Sequence, residues 1–204
     1  MMRNKFRTWL FLALVIALPV TVFAVVNWYE INVQQLPVIN ATEYTVENFH
    51  LTNQQGEVRS LDAWKGKIVV ANFFFTHCPV VCPKMMKQLK RVEEVYINDP
   101  QLLINSFSVD PEHDSVSRLK TFATQTGING AWDLLTGDKQ HIYRLARKSF
   151  GVSATDGDGG PTDFIHSDKL ILLDKQKRIR GYYNGTEQSE VDQLIKDIQR
   201  LKNE

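Results

Sequence analysis

Cysteine is nearly absent from this chain, which has two in 204 residues. A disulfide framework is therefore excluded, and the core must come from apolar packing. With 43% apolar and 10% aromatic residues, one domain can supply it. Charge of one sign is lacking as well: 24 Lys and Arg stand against 23 Asp and Glu. No field of the kind that gathers phosphate backbones is expected, and nucleic acid is not an expected partner. Internal repeats and low-complexity tracts are missing. The glycine-rich "TDGDGGPTD" has neither the preceding strand nor the spacing of a phosphate cradle, which argues against nucleotide binding.

A membrane-length apolar run occurs once. Residues 9–26, "WLFLALVIALPVTVFAVV", carry no charge and are long enough to cross a bilayer as a slightly short helix. Arg3, Lys5 and Arg7 precede it, no basic residue follows closely, and Asn27, Trp28 and Tyr29 form an interfacial edge. This asymmetry predicts a cytoplasmic N-terminus and a single-pass anchor over residues 1–29 in the inner (cytoplasmic) membrane, with the soluble part in the periplasm. A cleaved signal peptide ending near Val22-Phe23-Ala24 is the alternative; the run exceeds the usual ~7–15-residue signal core. Residues 30–43, polar and containing Pro37, read as a linker.

The folded domain is expected over residues 44–204. "FHLTNQQGEVRSL" reads as two short strands around a Gln-Gln-Gly turn. "KIVVANFFF" has the continuous apolar pattern of a strand buried on both faces. Pro83 opens a helical pattern, and "LLINSFSV" is the next strand. A helix follows with Asp114 as N-cap and Gly127 at its end. "AWDLL", a helix closed by Gly151, a hairpin of "DKLILLD" with "RIRGYYNG", and a terminal helix complete the chain. That order implies an α/β fold with parallel crossovers and an antiparallel edge, whose functional groups collect beyond the carboxyl ends of the strands.

Both cysteines are there, in "FFFTHCPVVCP", residues 73–83. A bridge across so short a loop would stabilise little. Thiolates are soft donors suited to Cu(I), and a loop entering a helix N-terminus favours thiolate. A dithiol/disulfide couple fits the spacing equally, although a thioredoxin-like redox site usually has two intervening residues instead of three.

Four segments carry a resemblance: "FFFTHCPVVCP", "SVDPEHDS", "WDLLTG" and "HSDKLILLD". Over about residues 44–203 the chain resembles the Sco/SenC family. These are membrane-anchored proteins of thioredoxin-like fold, a central mixed sheet flanked by helices, implicated in copper delivery to the CuA centre of cytochrome c oxidase. The resemblance implies Cys78, Cys82 and His166 as the three copper ligands and Asp110 as an aspartate near the site. His166 precedes "DKLILLD", where thioredoxin-like folds place a cis-proline loop facing the cysteines. This chain has no proline there, since Pro161 lies five residues upstream. It departs from the family pattern at Ile165, usually Asp, at Ser115-Val116, commonly Thr-Pro, and at Lys84-Met85.

His50 and His141 are expected to sit in a strand and on a helix face, and His113 to serve the turn from Asp110 to Asp114. His77, adjacent to Cys78, is expected to be solvent-exposed, with an accessory ligand or a group that lowers the thiol pKa as the alternative, and Met85 and Met86 are expected to pack against a core. The expected function is a copper-binding assembly factor and not an enzyme. Its partners are an upstream copper donor and an acceptor such as cytochrome c oxidase subunit II. The alternative is a thiol:disulfide oxidoreductase with Cys78 as the attacking thiol. A peroxidase is the weakest reading, because the upstream proline and arginine partner of Thr76-x-Cys78 are not identifiable.

Overall fold

In the computed structural model the described residues are 2–33, 35–39, 44–152 and 167–204. The chain divides into two units, Met1–Gln35 and Leu36–Glu204. The first is helix α1, Met2–Val33, 32 residues with Pro19 inside. Its side chains are described at Trp9 and residues 13–28, all exposed within this unit. Among the described residues no helix is long and apolar enough to cross a membrane.

The second unit opens with a hairpin, β1 (His50–Thr52) and β2 (Val58–Ser60), paired antiparallel. A five-stranded sheet follows, with spatial order β5-β4-β3-β6-β7. Its strands are β3 (Ile68–Phe74), β4 (Leu102–Ser108), β5 (Trp132–Leu135), β6 (Lys169–Leu173) and β7 (Ile179–Asn184). β3, β4 and β5 run parallel, and β6 and β7 run antiparallel beside β3. The mixed sheet is the expected one. The helices are α2 (Val81–Tyr96), α3 (Val116–Thr126), α4 (Lys139–Arg144) and α5 (Gln188–Asn203).

β3 explains its own composition. It lies between a parallel and an antiparallel neighbour with both faces covered, so all seven residues are buried. Alternate side chains go to opposite cores. Ile68, Val70 and Phe74 join Met85 and Leu89 of α2 and Leu194 and Ile198 of α5. Val69, Ala71 and Phe73 face Phe49, Trp64, Phe107 and Phe150, where Phe73 and Phe107 stack at 5.3 Å. Asn72, the one polar member, is satisfied by the Ser106 hydroxyl, which donates to its Oδ1 at 2.6 Å.

Three details differ from the sequence expectation. Asp114 does not cap α3. Ser115 does, its Oγ accepting from Arg118 N at 3.3 Å, and Gly127 closes the helix at φ 67° as expected. The reason is that the Asp114 side chain is drawn away to the cysteine loop. Second, α4 widens into a π-helical turn, Leu145–Ser149, before Gly151. Third, the segment read as a linker is divided: α1 runs on to Val33, and residues 36–39 lie along β7. Ile39 N donates to Ile179 O at 2.8 Å. The buried Arg180 guanidinium donates to Leu36 O and Pro37 O and pairs with Asp174 at 3.0 Å and Glu204 at 2.8 Å. "TDGDGGPTD" lies outside the described residues.

Candidate functional site

The chain leaves β3 at Phe74 and enters α2 at Val81, and the loop between them is short and tight. Cys78 N donates to Phe75 O at 3.3 Å. Pro83 sits in the first turn of α2, where a missing N–H costs nothing. The N-cap position of α2 is Val80, which has no side-chain oxygen to receive the free N–H groups of the first turn. Cys78 takes that role, its Sγ accepting from Cys82 N at 3.2 Å.

This arrangement makes the two thiols unlike. Cys78 is half-buried, and burial by itself would raise its pKa. The N–H groups of Cys82, Val80 and Val81 and the Cys82 thiol outweigh that, leaving Cys78 below the ordinary thiol value. Cys82 is buried and pushed up to about 12, first by desolvation, then by its hydrogen bond to Cys78, with the negative charges of Cys78 and Asp114 adding to it. The two sulfurs are thus set apart in acidity, Cys78 lowered and Cys82 raised.

Asp114 supports this loop from beneath. Fully buried, its carboxylate accepts from Thr76 N at 3.1 Å, Thr76 Oγ1 at 2.5 Å and Ser108 Oγ at 2.5 Å. Arg118 Nε adds a bond to Thr76 Oγ1 at 3.0 Å. The sequence reading missed this role. Thr76 and Asp114 are 38 positions apart, and an Asp just before a helix carries the local signature of a cap. Only the "SVDPEHDS" segment, which contains Asp114, marked the region.

The remaining candidates are placed as follows. Asp110 stands at the end of β4 and pairs with His113 Nδ1 at 2.9 Å, so His113 serves this turn, its pKa raised by that carboxylate. His77 is exposed, with its ring 5.9 Å from that of His113. His50 is exposed on β1, and His141 lies on α4 with its buried Nε2 unpartnered among the described residues. Neither lines a hollow at the cysteines. Met85 is fully buried, its sulfur 3.9 Å from Asn72 Nδ2, and Met86 is buried beside it. His166 and Ile165 lie outside the described residues. Among the described residues no group of three or more His, Cys, Asp or Glu is placed to hold a metal ion. The residue after His166, Ser167, lines a hollow of 280 Å³ together with Cys78, Val81 and Cys82.

A low-pKa sulfur beside a buried thiol can attack a disulfide, and the same pair can give two soft donors to a metal. Comparison with known proteins narrows the choice. The family model described as SCO1/SenC matches residues 38–203. The SCO1 protein homolog of Bacillus subtilis (strain 168) is 34% identical over 158 residues, covering 76% of this chain and 81% of that protein. The structure of BsSco, a member of the Sco family of cytochrome c oxidase assembly proteins with a disulfide switch, superposes with TM-score 0.68 at 32% identity, covering 80% of this chain and 96% of that one. Bradyrhizobium japonicum ScoI, solved with copper bound, superposes with TM-score 0.62 at 25% identity, covering 76% of this chain and 98% of that one.

Proposed function

Because this chain belongs to the SCO1/SenC family, we propose that it is a copper-binding assembly factor that carries copper to the CuA site of a cytochrome c oxidase. Copper is its cargo, held by the sulfurs of Cys78 and Cys82 and the imidazole of His166. The observation that carries this reading is the pair of thiols at the N-terminus of α2, where backbone N–H groups hold Cys78 toward the thiolate that a soft ion requires. Ser167 at the cysteine hollow supports His166 as third ligand, since it is the adjacent residue. Transfer proceeds by ligand exchange: an acceptor cysteine meets the more exposed Cys78 first, and Cys82 is released last, regaining its proton. The partners are an upstream donor and the copper-accepting oxidase subunit.

The uncharged residues 9–26 inside α1 support a membrane anchor, with the domain on the periplasmic face of the inner membrane. Mass spectrometry of the mature N-terminus tests this; a chain beginning at Val25 contradicts it.

The unequal acidity of the two thiols favours a second reading, thiol:disulfide oxidoreductase. The half-buried Cys78, its pKa lowered, attacks, and the buried Cys82 resolves. Anaerobic copper titration of the reduced protein separates the two readings. A stoichiometry near one that is lost in Cys78→Ala supports the carrier, and absence of tight binding leaves the oxidoreductase.

A further inference from the structure

A second hollow, of 540 Å³, opens between α2 and α3 and reaches Cys78 and Cys82 at one end. Its walls are apolar, made by Met86, Phe122, Ile128 and Trp132. Two thiolates and an imidazole need no apolar space of this size, so the copper site does not account for it. Beside Cys78 the loop also exposes Val80 and Val81, at 56% and 40%, which a solvated turn has no reason to carry.

The rim has a definite charge. Lys87, Lys90 and Arg91 line it against the single acid Glu94. Lys90 is engaged by Glu93, and Arg91 by Asp192. Lys87 is exposed and has no hydrogen-bond or ion-pair partner among the described residues, and the same is true of Lys84 one turn earlier. The surface therefore has room for a bulky apolar side chain and an unmatched cation next to it.

We propose that the hollow between α2 and α3 is a docking subsite for the cysteine-bearing segment of the partner polypeptide, seating an apolar side chain near the reacting cysteine with a carboxylate facing Lys87. The assignment rests on the reading of Cys78 as the group that meets the partner. Metal exchange and disulfide exchange both require a foreign cysteine at Cys78, and the hollow begins there. The flanking residues of that cysteine must lie across exposed surface, and apolar contact next to the sulfur holds them during the exchange.

The test uses the reduced full chain and four short peptides, each with one cysteine activated as its mixed disulfide with thionitrobenzoate. Cys78 Sγ, deprotonated to solvent, bonds to the peptide sulfur; the peptide–thionitrobenzoate S–S bond breaks, and coloured thionitrobenzoate leaves as the anion. The peptides carry only glycine around the cysteine, or a phenylalanine two residues away, or that phenylalanine followed by glutamate or by lysine. The phenylalanine–glutamate peptide should release the dye at least tenfold faster than the glycine peptide. Lys87→Glu should reverse the preference toward the lysine peptide. Thr126→Trp, which places an indole in the hollow from its lining, should remove the phenylalanine advantage. Equal rates for all four peptides overturn the proposal, as does a preference that persists in both variants. A second-order rate constant that falls as the concentration of this chain rises, the sign of a second copy seated in the hollow, also overturns it. Copper titration of the same samples keeps the two questions apart. Absent copper binding with an intact peptide preference removes the carrier reading alone, and equal peptide rates with intact copper binding remove the subsite alone.

Discussion

Two strand-to-helix junctions stand side by side at the carboxyl ends of the paired strands β3 and β4, and they are finished in different ways. The β4–α3 junction uses a hydroxyl cap, Ser115 Oγ accepting from Arg118 N. The β3–α2 junction has a valine at the cap position and offers its free N–H groups to the sulfur of Cys78 instead. A side-chain cap stabilises a helix by about 1 kcal/mol. The β3–α2 junction forgoes that and obtains an acidic thiol; the β4–α3 junction takes the stability. They are tied together, because Asp114 from the capped junction accepts the hydrogen bonds of Thr76 in the uncapped one. The rigid neighbour thus braces the reactive loop.

The largest effect expected from breaking this contrast is at the sulfurs. Cys78→Ala or Cys82→Ala should abolish tight binding of either copper ion, since one remaining thiolate cannot chelate, and metal analysis after gel filtration reads the loss. Next comes the brace. Asp114→Asn exchanges charge-assisted bonds for neutral ones and should cost about 2–3 kcal/mol in urea unfolding of the reduced protein. Cys82 should also fall back from its raised value, because the Asp114 charge contributes to it.

Ser115→Ala should cost about 1 kcal/mol and leave the alkylation rate of Cys78 as it is, which shows the two caps to be separate devices. The finest effect is the pH profile of stability in the reduced state. Cys78, with its pKa lowered on folding, adds stability that is complete above the unfolded thiol value of about 8.5 and is lost as pH falls through the folded value. Cys82, with its pKa raised, adds stability that is complete below about 8.5 and is lost as pH rises toward about 12. Relative to the parent, Cys78→Ala should therefore lack the rising limb of the urea-midpoint profile and Cys82→Ala the falling one.

What the sequence made legible was local. The unbroken apolar run of β3 announced a strand buried on both faces. Alternating strands and helices announced the parallel part of the sheet, and the loop at its carboxyl edge announced the candidate site. Gly127 ended α3 where a left-handed residue was required. What stayed hidden depends on distance along the chain. Asp114 and Ser115 are adjacent polar residues, either of which could cap α3. The half-buried Thr76, far away in sequence, together with the Ser108 hydroxyl at the end of β4, decides that Asp114 turns inward. In the same way, residues 36–39 have no internal period. They are ordered by Arg180, whose side chain is buried because Asp174 and Glu204 neutralise it. The imidazole at 166 was suggested by resemblance and not by spacing.

The most direct test of the copper reading is X-ray absorption at the copper edge on the reduced, Cu(I)- and Cu(II)-loaded protein, beside His166→Ala. Two sulfur scatterers and one imidazole nitrogen are expected in the parent. The variant should lose the nitrogen and weaken Cu(II) far more than Cu(I), because two thiolates still hold Cu(I) in linear coordination. An unchanged nitrogen shell in His166→Ala, with Cu(II) held as tightly as before, contradicts the ligand set and moves the assignment to His77.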